Sequence, residues 1–306
     1  MENRLIVITG PTGVGKTKAS VKLAEELGTE IISADSMQVY RGMDIGTAKV
    51  TEEEAMGVKH HLIDICEPDF NYDVTCFQKK AAEIIDVLHK RDKIPVVCGG
   101  TGFYIEALLY DTDFTEEEGD PLYKEELFKL ACDKGNRAVH ELLLKCDPLS
   151  YEKIPENNVK KTVRALEFFK LHGFPISQHN ITQKEKHEKS IYDTKLFVLT
   201  CEREELCRRI NERVDRMMED GLLEEALRIT KSGVKKDSTS MQAIGYRELV
   251  PYFEGEITLK EAVENIKAHS RQYAKRQITW WKRNKDAIWI DVLKGDVSDE
   301  IRRNLW

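Results

Sequence analysis

The segment from Gly10 to Thr17, with the sequence GPTGVGKT, fits the phosphate-loop pattern G-x-x-x-x-G-K-[ST]. Its glycines let backbone N–H groups converge on phosphate oxygens at the start of a helix, and Lys16 adds a positive charge. The Thr17 hydroxyl can complete the coordination shell of a magnesium ion. We therefore predict a phosphate-binding loop made of Gly10, Pro11, Thr12, Gly13, Val14, Gly15, Lys16 and Thr17.

This loop specifies a polyphosphate ligand but not a reaction. Kinases, hydrolases and transferases with a diphosphate leaving group all need the same set of donors. The residues that distinguish these classes of enzyme must lie elsewhere in the chain.

A second polar segment begins at Asp35, directly after the apolar run 30–34, and extends to Lys49. In parallel α/β sheets, ligands bind beyond the carboxyl ends of the strands, so this segment is placed for chemistry. On the residues alone, Asp35 has two interpretations. It is either a magnesium ligand or a group that acts on a substrate.

Three further residues are candidates for contact with phosphate or with the reacting atoms. Thr101 follows Gly99 and Gly100, so its hydroxyl either approaches a diphosphate closely or caps the helix that starts there. Arg209 and Arg213 are one helical turn apart. They either point together at phosphate or belong to a solvated helix face.

Alternating strands and helices must position these residues. Apolar runs predict strands over 5–9, 30–34, 61–65, 94–98, 195–200 and 287–290. Helical periodicity predicts helices over 16–27, 75–91 and 101–110, and helices starting near 202, 222 and 258. The last of these begins with the capping pair Thr258 and Glu261. The pattern predicts an α/β fold, a phosphate-loop NTPase-like parallel sheet flanked by helices.

The pattern changes between residues 111 and 194. This stretch contains no convincing strand, and helical periods cover 122–132, 138–145 and 158–171. We predict a helical insertion domain over 111–194. The catalytic core would then be formed by 1–110 plus 195–306.

Charge and cysteine content limit the classes of protein to which the chain can belong. The net charge of −7 by itself argues against a nucleic-acid partner, but residues 258–285 contain eight Lys or Arg and only two Glu. The seven cysteines include no Cys-x-x-Cys pair, which favours reduced thiols. Because the chain shows no membrane-length apolar run, signal sequence or sustained heptad, we expect a cytoplasmic monomer.

Several motifs extend these observations over nearly the whole chain. Besides GPTGVGKT and the segment from Asp35, they are HHLID at 60–64, GGTGFY at 99–104, RALE at 164–167, AIGY at 243–246 and QYAKRQITW at 272–280. In this order they resemble the tRNA dimethylallyltransferase (tRNA isopentenyltransferase) family. The resemblance implies transfer of a dimethylallyl group from dimethylallyl diphosphate to the exocyclic amine of the adenosine 3′ of the anticodon. That adenosine is position 37 of tRNA, and the products would be N6-dimethylallyladenosine and diphosphate.

The resemblance also implies roles at the site. Asp35 would take a proton from the adenine amine, which is a weak nucleophile because its lone pair is delocalised into the ring. Thr101 would lie beside the reacting groups. Lys16, the loop amides and a magnesium ion on Thr17 would stabilise the charge that develops on the diphosphate. Arg213 is a further candidate for that contact, together with Arg209.

The resemblance further implies that the helical insertion domain over 111–194 binds the tRNA anticodon arm. A base stacked in the anticodon loop cannot reach an enclosed donor, so we expect the target adenosine to be flipped out. Gln38 is suited to adenine because its amide donates and accepts at once. Lys161 offers a point charge where family members often have Arg. The predicted tRNA-binding residues are Asp35, Ser36, Met37, Gln38, Lys160, Lys161, Arg164, Gln242, Gly245, Tyr246, Arg247, Arg271, Lys275 and Arg276.

The helix that starts at Thr258 also carries Lys282 and three aromatic residues. Lys282 adds positive charge for the RNA backbone. Tyr273, Trp280 and Trp281 are available for packing or for stacking on bases, and packing in the core is the favoured role.

Two other classes of protein are compatible with the phosphate loop. An enzyme that prenylates free adenine nucleotides would share Asp35 and the loop, but would need neither the insertion nor the basic helix. An NTP-driven RNA-binding protein or a small-molecule kinase would need nucleotide hydrolysis or phosphoryl transfer. The sequence shows no evident adenine-reading or switch segment for this second class.

Overall fold

The structure is a computed structural model that describes residues 3–114, 119–186 and 189–306. Within these residues lies a parallel sheet of six strands in the order β3-β2-β4-β1-β5-β6. The strands are β1 (Arg4–Thr9), β2 (Ile31–Ser33), β3 (His60–His61), β4 (Val96–Gly99), β5 (Asp193–Thr200) and β6 (Ile288–Asp291). The predicted α/β fold is confirmed.

The central strand β1 pairs with β4 on one side and β5 on the other. Its residues Leu5, Ile6, Val7 and Ile8 have no exposed surface. A continuous apolar run of this kind is expected where helices cover both faces of a parallel sheet. This burial fixes the position of the phosphate loop, which begins where β1 ends.

Three strands end at the same edge of the sheet. Thr9 of β1 pairs with Gly99 of β4, and Ser33 at the end of β2 also pairs with β4. Because the strands are parallel, the segments that follow them leave from one edge. The fold thereby brings the phosphate loop close to the segments that carry Asp35 and Thr101.

The prediction of a strand over 61–65 is wrong about its length, because the observed strand ends at His61. Only His60–His61 form strand β3. Leu62 has φ +62° and Asp64 has φ +55°, and these left-handed conformations end the extended chain.

Four helices accompany the first strands: α1 (Lys16–Glu26), α2 (Glu52–Ala55), α3 (Val74–His89) and α4 (Gly102–Leu109). Helix α1 starts at Lys16, so the last two residues of the phosphate-loop motif form its first turn. Gly15 precedes it with φ +99°, and no side chain caps the helix. The first backbone N–H groups of α1 are therefore left for a ligand.

The next six helices are α5 (Pro121–Lys134), α6 (Asn136–His140), α7 (Leu143–Cys146), α8 (Pro148–Lys153), α9 (Val159–His172) and α10 (Ile176–Lys186). They enclose a small core that includes Leu127, Val139 and Leu166. The single helix predicted over 138–145 is wrong, because α6 and α7 divide that stretch. The N–H of Leu142 donates to Val139 and that of Leu144 to Glu141, and these shorter bonds interrupt the α-helical pattern.

The remaining helices are α11 (Arg203–Glu219), α12 (Leu222–Lys231), α13 (Val250–Phe253), α14 (Leu259–Trp281) and α15 (Val297–Arg303), with a 3-10 turn at Ser240–Gln242. Helix α14 begins with the predicted capping box. The N–H of Thr258 donates to Glu261 Oε2 at 2.8 Å, and the N–H of Glu261 donates to Thr258 Oγ1 at 3.3 Å.

The chain divides into two compact units. One is formed by Met1–Asp111 with Ser190–Trp306, and the other by Thr112–Lys189. The first unit contains the sheet, and the described part of the second forms helices α5 to α10. Among the described ranges, no helix combines the length and the apolar character that crossing a membrane requires.

Candidate active site

The phosphate loop connects β1 to α1 in a conformation that requires glycine. Gly10, Gly13 and Gly15 have φ values of +140°, +79° and +99°. A Cβ atom on Gly10 would also lie 2.4 Å from the carbonyl oxygen of Leu199 in β5. The path of the loop therefore depends on its glycines and on the strand beside it.

Lys16 lies against the loop it belongs to. Its Nζ donates to the carbonyl oxygens of Gly10 at 3.1 Å and Pro11 at 2.9 Å. Loss of hydration lowers the pKa of Lys16 to about 8; the charge of Arg213 also lowers it, whereas the carboxylate of Asp35 raises it. Two neighbouring cations suit an anionic ligand, because a bound diphosphate would offset their repulsion.

Asp35 follows β2, and its carboxylate is oriented by its own segment. Oδ1 accepts hydrogen bonds from the N–H of Met37 at 2.8 Å and the N–H of Gln38 at 3.3 Å. Oδ2 has no hydrogen-bond partner within the part of the chain that the structure describes. One carboxylate oxygen is therefore fixed by the backbone, and the other is available to a substrate.

Thr101 immediately precedes α4, but its side chain does not cap that helix. Instead its Oγ1 accepts a hydrogen bond from the N–H of Ser36 at 3.2 Å. Burial together with the charge of Asp35 raises the pKa of Tyr273 to about 12, and the neighbouring Thr101 hydroxyl acts in the opposite direction. Thr101 thus occupies the N-cap position of α4 without a capping hydrogen bond from its side chain, and the hydroxyl belongs to the surroundings of Asp35.

These segments surround a cavity of about 240 Å³. The phosphate loop contributes Thr12, and α11 contributes Arg213 beside the apolar side chains of Ile210 and Val214. Charged and apolar walls in one cavity suit a ligand that has both kinds of group. The full lining is Thr12, Asp35, Ser36, Met37, Gly46, Thr47, Ile210, Arg213, Val214, Met217, Gln242, Ala243, Ile244, Gly245, Arg247, Ile266, Ser270, Tyr273 and Arg276.

The two arginines predicted to contact phosphate have different surroundings. Arg213 lines the cavity, where loss of hydration lowers its pKa and the carboxylate of Asp35 raises it. Arg209 is not part of the lining, and its Nε donates to Glu205 Oε1 at 2.6 Å. Hydrogen bonds from Arg208 and Arg209 lower the pKa of Glu205 to about 2. The structure brings only Arg213 to the cavity.

Gln277 was not among the predicted site residues, yet it ties α14 to the phosphate loop. Its Oε1 accepts a hydrogen bond from the N–H of Thr12 at 2.9 Å, and its Nε2 donates to the carbonyl oxygen of Gly100 at 2.8 Å. The side chain is 5% exposed. The sequence signal is a polar residue on the buried face of the helix, between Ala274 and Trp281.

The predicted basic residues of α14 occupy three kinds of position. Arg276 lines the cavity, with its guanidinium 5.6 Å from the ring centroid of Tyr273. Arg271 donates to Asn211 Oδ1 at 2.5 Å. Lys275 is exposed.

The end of α14 packs as expected. Trp281 is fully buried. Trp280 lies edge-on to Phe103, with 6.3 Å between ring centroids, and the guanidinium of Arg283 lies 4.4 Å from the Trp280 ring centroid. Lys282 is exposed.

Gln38 does not line the cavity. Its Oε1 accepts a hydrogen bond from Ser33 Oγ at 2.8 Å, and its Nε2 donates to the carbonyl oxygens of Thr47 at 3.3 Å and Ala48 at 3.2 Å. Both ends of the amide are thus used within the protein. The predicted contact of this amide with adenine stays a prediction, and it would require these hydrogen bonds to be exchanged for bonds to the base.

The segment after the 3-10 turn forms another wall. Gln242, Gly245 and Arg247 line the cavity. Tyr246 is 1% exposed, and its hydroxyl donates to Glu225 Oε1 at 2.6 Å. Its predicted contact with tRNA is corrected, because a buried ring has no surface to offer to RNA.

In the second unit, the predicted RNA contacts lie at the start of α9. Lys160, Lys161 and Arg164 are exposed, whereas Val163 faces the core of that unit. The side chain of Asn158 caps the helix by accepting a hydrogen bond from the N–H of Lys161 at 3.3 Å. Their role in RNA binding stays a prediction.

Thr17 lines a smaller, separate recess, together with the polar side chains of Ser20, Ser33, Gln38, His60 and Cys98. None of these is a carboxylate, and the described residues contain no group of three or more His, Cys, Asp or Glu able to hold a metal ion. Magnesium commonly keeps several waters and binds substrate phosphates. The described residues around Thr17 therefore offer a magnesium ion hydroxyl oxygens but no carboxylate.

Together, the parallel sheet, the glycine-dependent loop and the adjoining cavity define a phosphate-loop protein with room for a second ligand beside the phosphate site. The chain belongs to the IPP transferase family, whose model matches residues 38–284. A model described as isopentenyl transferase matches residues 3–71.

Individual relatives agree with this assignment. The chain is 48% identical over 286 residues to the tRNA dimethylallyltransferase of Lachnoclostridium phytofermentans, covering 94% of this chain and 91% of that protein. It is similar to the crystal structure of a tRNA isopentenylpyrophosphate transferase from Bacillus halodurans, with TM-score 0.74, 42% identity and coverage of 99% and 94%. A eukaryotic dimethylallyltransferase acting on tRNA gives TM-score 0.85 at 28% identity, with coverage of 99% and 78%.

Proposed function

We propose that this chain transfers a dimethylallyl group from dimethylallyl diphosphate to the exocyclic amine of the adenosine 3′ of the anticodon, position 37 of tRNA. The observation that carries the proposal is a single cavity shared by Thr12 of the phosphate loop, Asp35 and Arg213. A diphosphate donor and an amine acceptor need such an arrangement, with cations and a base close together. The similarity to a tRNA dimethylallyltransferase and to a eukaryotic dimethylallyltransferase acting on tRNA supports the same reaction.

In the proposed reaction, the amine nitrogen attacks the allylic carbon, the carbon–oxygen bond to diphosphate breaks, and diphosphate leaves. Asp35 takes the proton that the nitrogen loses, through the Oδ2 atom left without a partner in the described chain. The loop amides, Lys16 and Arg213 stabilise the negative charge that grows on the leaving group. Magnesium bound at Thr17 would add further positive charge to the diphosphate.

Thr101 holds the reacting segment in this proposal. Its hydroxyl accepts from the backbone of Ser36 and contacts Tyr273, so it links the segment after β2 to α14. A donor diphosphate bound at the loop would lie beside this hydroxyl, which can also donate to it. Thr101 therefore contributes both to the shape of the site and to the binding of the leaving group.

For tRNA, the target adenosine would be flipped out of the anticodon loop into the cavity. Residues on the cavity walls would contact it and its neighbours; these are Ser36, Met37, Gln242, Gly245, Arg247 and Arg276. Lys275 and Arg271 of α14 would contact the RNA backbone, as would Lys160, Lys161 and Arg164 of the second unit. We also propose that the enzyme acts as a monomer in the cytoplasm, which sedimentation velocity and fractionation would test.

The decisive experiment offers the protein dimethylallyl diphosphate and magnesium with either unmodified tRNA or AMP, followed by nucleoside analysis of each product. We expect N6-dimethylallyladenosine in the tRNA at position 37 and none from AMP. Prenylation of AMP alone would make the chain an enzyme of free nucleotides. ATP turnover without either product would contradict the reaction class, and unchanged transfer in EDTA would contradict the role of magnesium.

A further inference from the structure

A carboxylate on α12 holds the loop that follows the Asp35 segment. Glu225 is 4% exposed, and its Oε2 accepts from the N–H of Asp44 at 2.8 Å and the N–H of Ile45 at 3.0 Å. Its Oε1 accepts from the N–H of Ile45 at 3.1 Å and the N–H of Gly46 at 3.0 Å. Three successive backbone N–H groups therefore converge on one buried carboxylate.

Tyr246 completes this arrangement. Its hydroxyl donates to Glu225 Oε1 at 2.6 Å, and its ring packs so closely on Gly46 that an added Cβ there would lie 2.5 Å from Tyr246 Cε2. Within the described chain, no Lys, Arg or His forms an ion pair with Glu225. The negative charge is held by four neutral donors, as in the backbone nests that bind anions.

The two segments joined by Glu225 are both walls of the cavity. Gly46 and Thr47 form one wall, and residues 242–245 with Arg247, on either side of Tyr246, form another. In the first of these walls, the carbonyl oxygen of Thr47 accepts a hydrogen bond from the Gln38 amide. Glu225 itself does not line the cavity, so its effect on a substrate must pass through these neighbours.

The phosphate side of the cavity is held separately. Thr12 is tied to Gln277, and Gln277 to Gly100, without any contribution from α12. Weakening the hydrogen bonds between Glu225 and residues 44–46 should therefore leave the phosphate loop in place. The structure thus contains two independent supports, one for each side of the site.

We propose that Glu225 is a positioning residue for the acceptor side of the site, setting the walls that receive the flipped nucleotide. This inference rests on the proposed function. Replacing the carboxylate by an amide removes one acceptor and turns an NH₂ group toward backbone N–H donors, so the loop cannot keep its bonds.

The test compares Glu225→Gln with Glu224→Gln, a matched change at the exposed neighbouring position. Steady-state assays with tRNA and dimethylallyl diphosphate give KM for each substrate. We expect Glu225→Gln to raise KM for tRNA roughly tenfold while KM for the donor stays within about twofold, and Glu224→Gln to change neither. An equal rise in both KM values, or no rise in either, would overturn the proposal.

Tyr246→Phe keeps the test informative if Glu225→Gln fails to fold. It removes only the hydroxyl donor and retains the ring against Gly46. We expect KM for tRNA to rise about threefold with KM for the donor unchanged. If the wild-type protein transfers nothing to tRNA, the proposed function is contradicted. If the wild-type protein transfers normally and both Tyr246→Phe and Glu225→Gln leave KM for tRNA unaltered, only the role of Glu225 is contradicted.

Discussion

The backbone N–H of Met37 donates a hydrogen bond to Asp35 Oδ1 at 2.8 Å. The two residues are so close in the chain that this orientation is built into the segment that leaves β2. A base oriented before the substrate arrives needs little rearrangement when the amine approaches. The finding supports Asp35 as the group that takes the proton, with Oδ2 as the atom involved.

The pKa of Lys16 predicts a pH dependence of donor use. Loss of hydration lowers this pKa from 10.5 to about 8 in the free protein, and a diphosphate binds the protonated form. Raising the pH through about 8 removes the positive charge of Lys16, so kcat/KM for dimethylallyl diphosphate should fall. Well above this pKa, the fall should approach about tenfold for each further pH unit.

Two variants test whether Lys16 causes this fall in kcat/KM. Lys16→Arg keeps its charge over the whole range, since an arginine does not lose its proton there, and the fall should disappear. Lys18→Arg changes an exposed lysine two residues away and should retain the fall. A profile that falls equally in both variants would show that another group titrates.

Gln277 should support both the stability of the protein and donor binding. Gln277→Leu leaves the buried carbonyl oxygen of Gly100 without its partner, and it frees the N–H of Thr12 at the cavity wall. The buried loss costs about 1–3 kcal/mol, so thermal unfolding should occur at lower temperature, and the untied loop should raise KM for the donor. Gln272→Leu, at an exposed position of the same helix, is the control, and equal melting temperatures would refute the assignment.

Arg213 and Arg209 should differ in their effect on the donor. Arg213 lines the cavity, whereas Arg209 is bound to Glu205. Arg213→Gln removes a charged donor from the diphosphate site and should raise KM for dimethylallyl diphosphate roughly tenfold or more. Arg209→Gln should change it less than threefold. Similar effects of both substitutions would mean that the ion pair opens when the donor binds.

Much of the fold follows from local sequence patterns. Apolar runs identify β1 and β5, and the capping pair Thr258 and Glu261 marks the start of α14. The order of the strands does not follow, because it depends on contacts between segments that are distant in the chain. The end of β3 was missed because positive φ at Leu62 and Asp64 is not visible in an apolar run.

The site was predictable where one segment carries a function. The phosphate loop and Asp35 are such cases. Gln277 and Glu225 are polar residues within buried helix faces, and their backbone partners lie more than a hundred residues away. Sequence patterns also placed Tyr246 at the RNA surface, but only the packing of its ring on Gly46 shows that it is buried.

The central claim is tested most directly by the single-turnover rate of prenyl transfer to unmodified tRNA with Asp35→Asn. This variant keeps the size of the side chain and the oxygen that accepts from Met37, but cannot take a proton. We predict a rate about 10²-fold or more below that of the unaltered protein, with tRNA affinity changed little. A near-normal rate would contradict the role of Asp35 as the base.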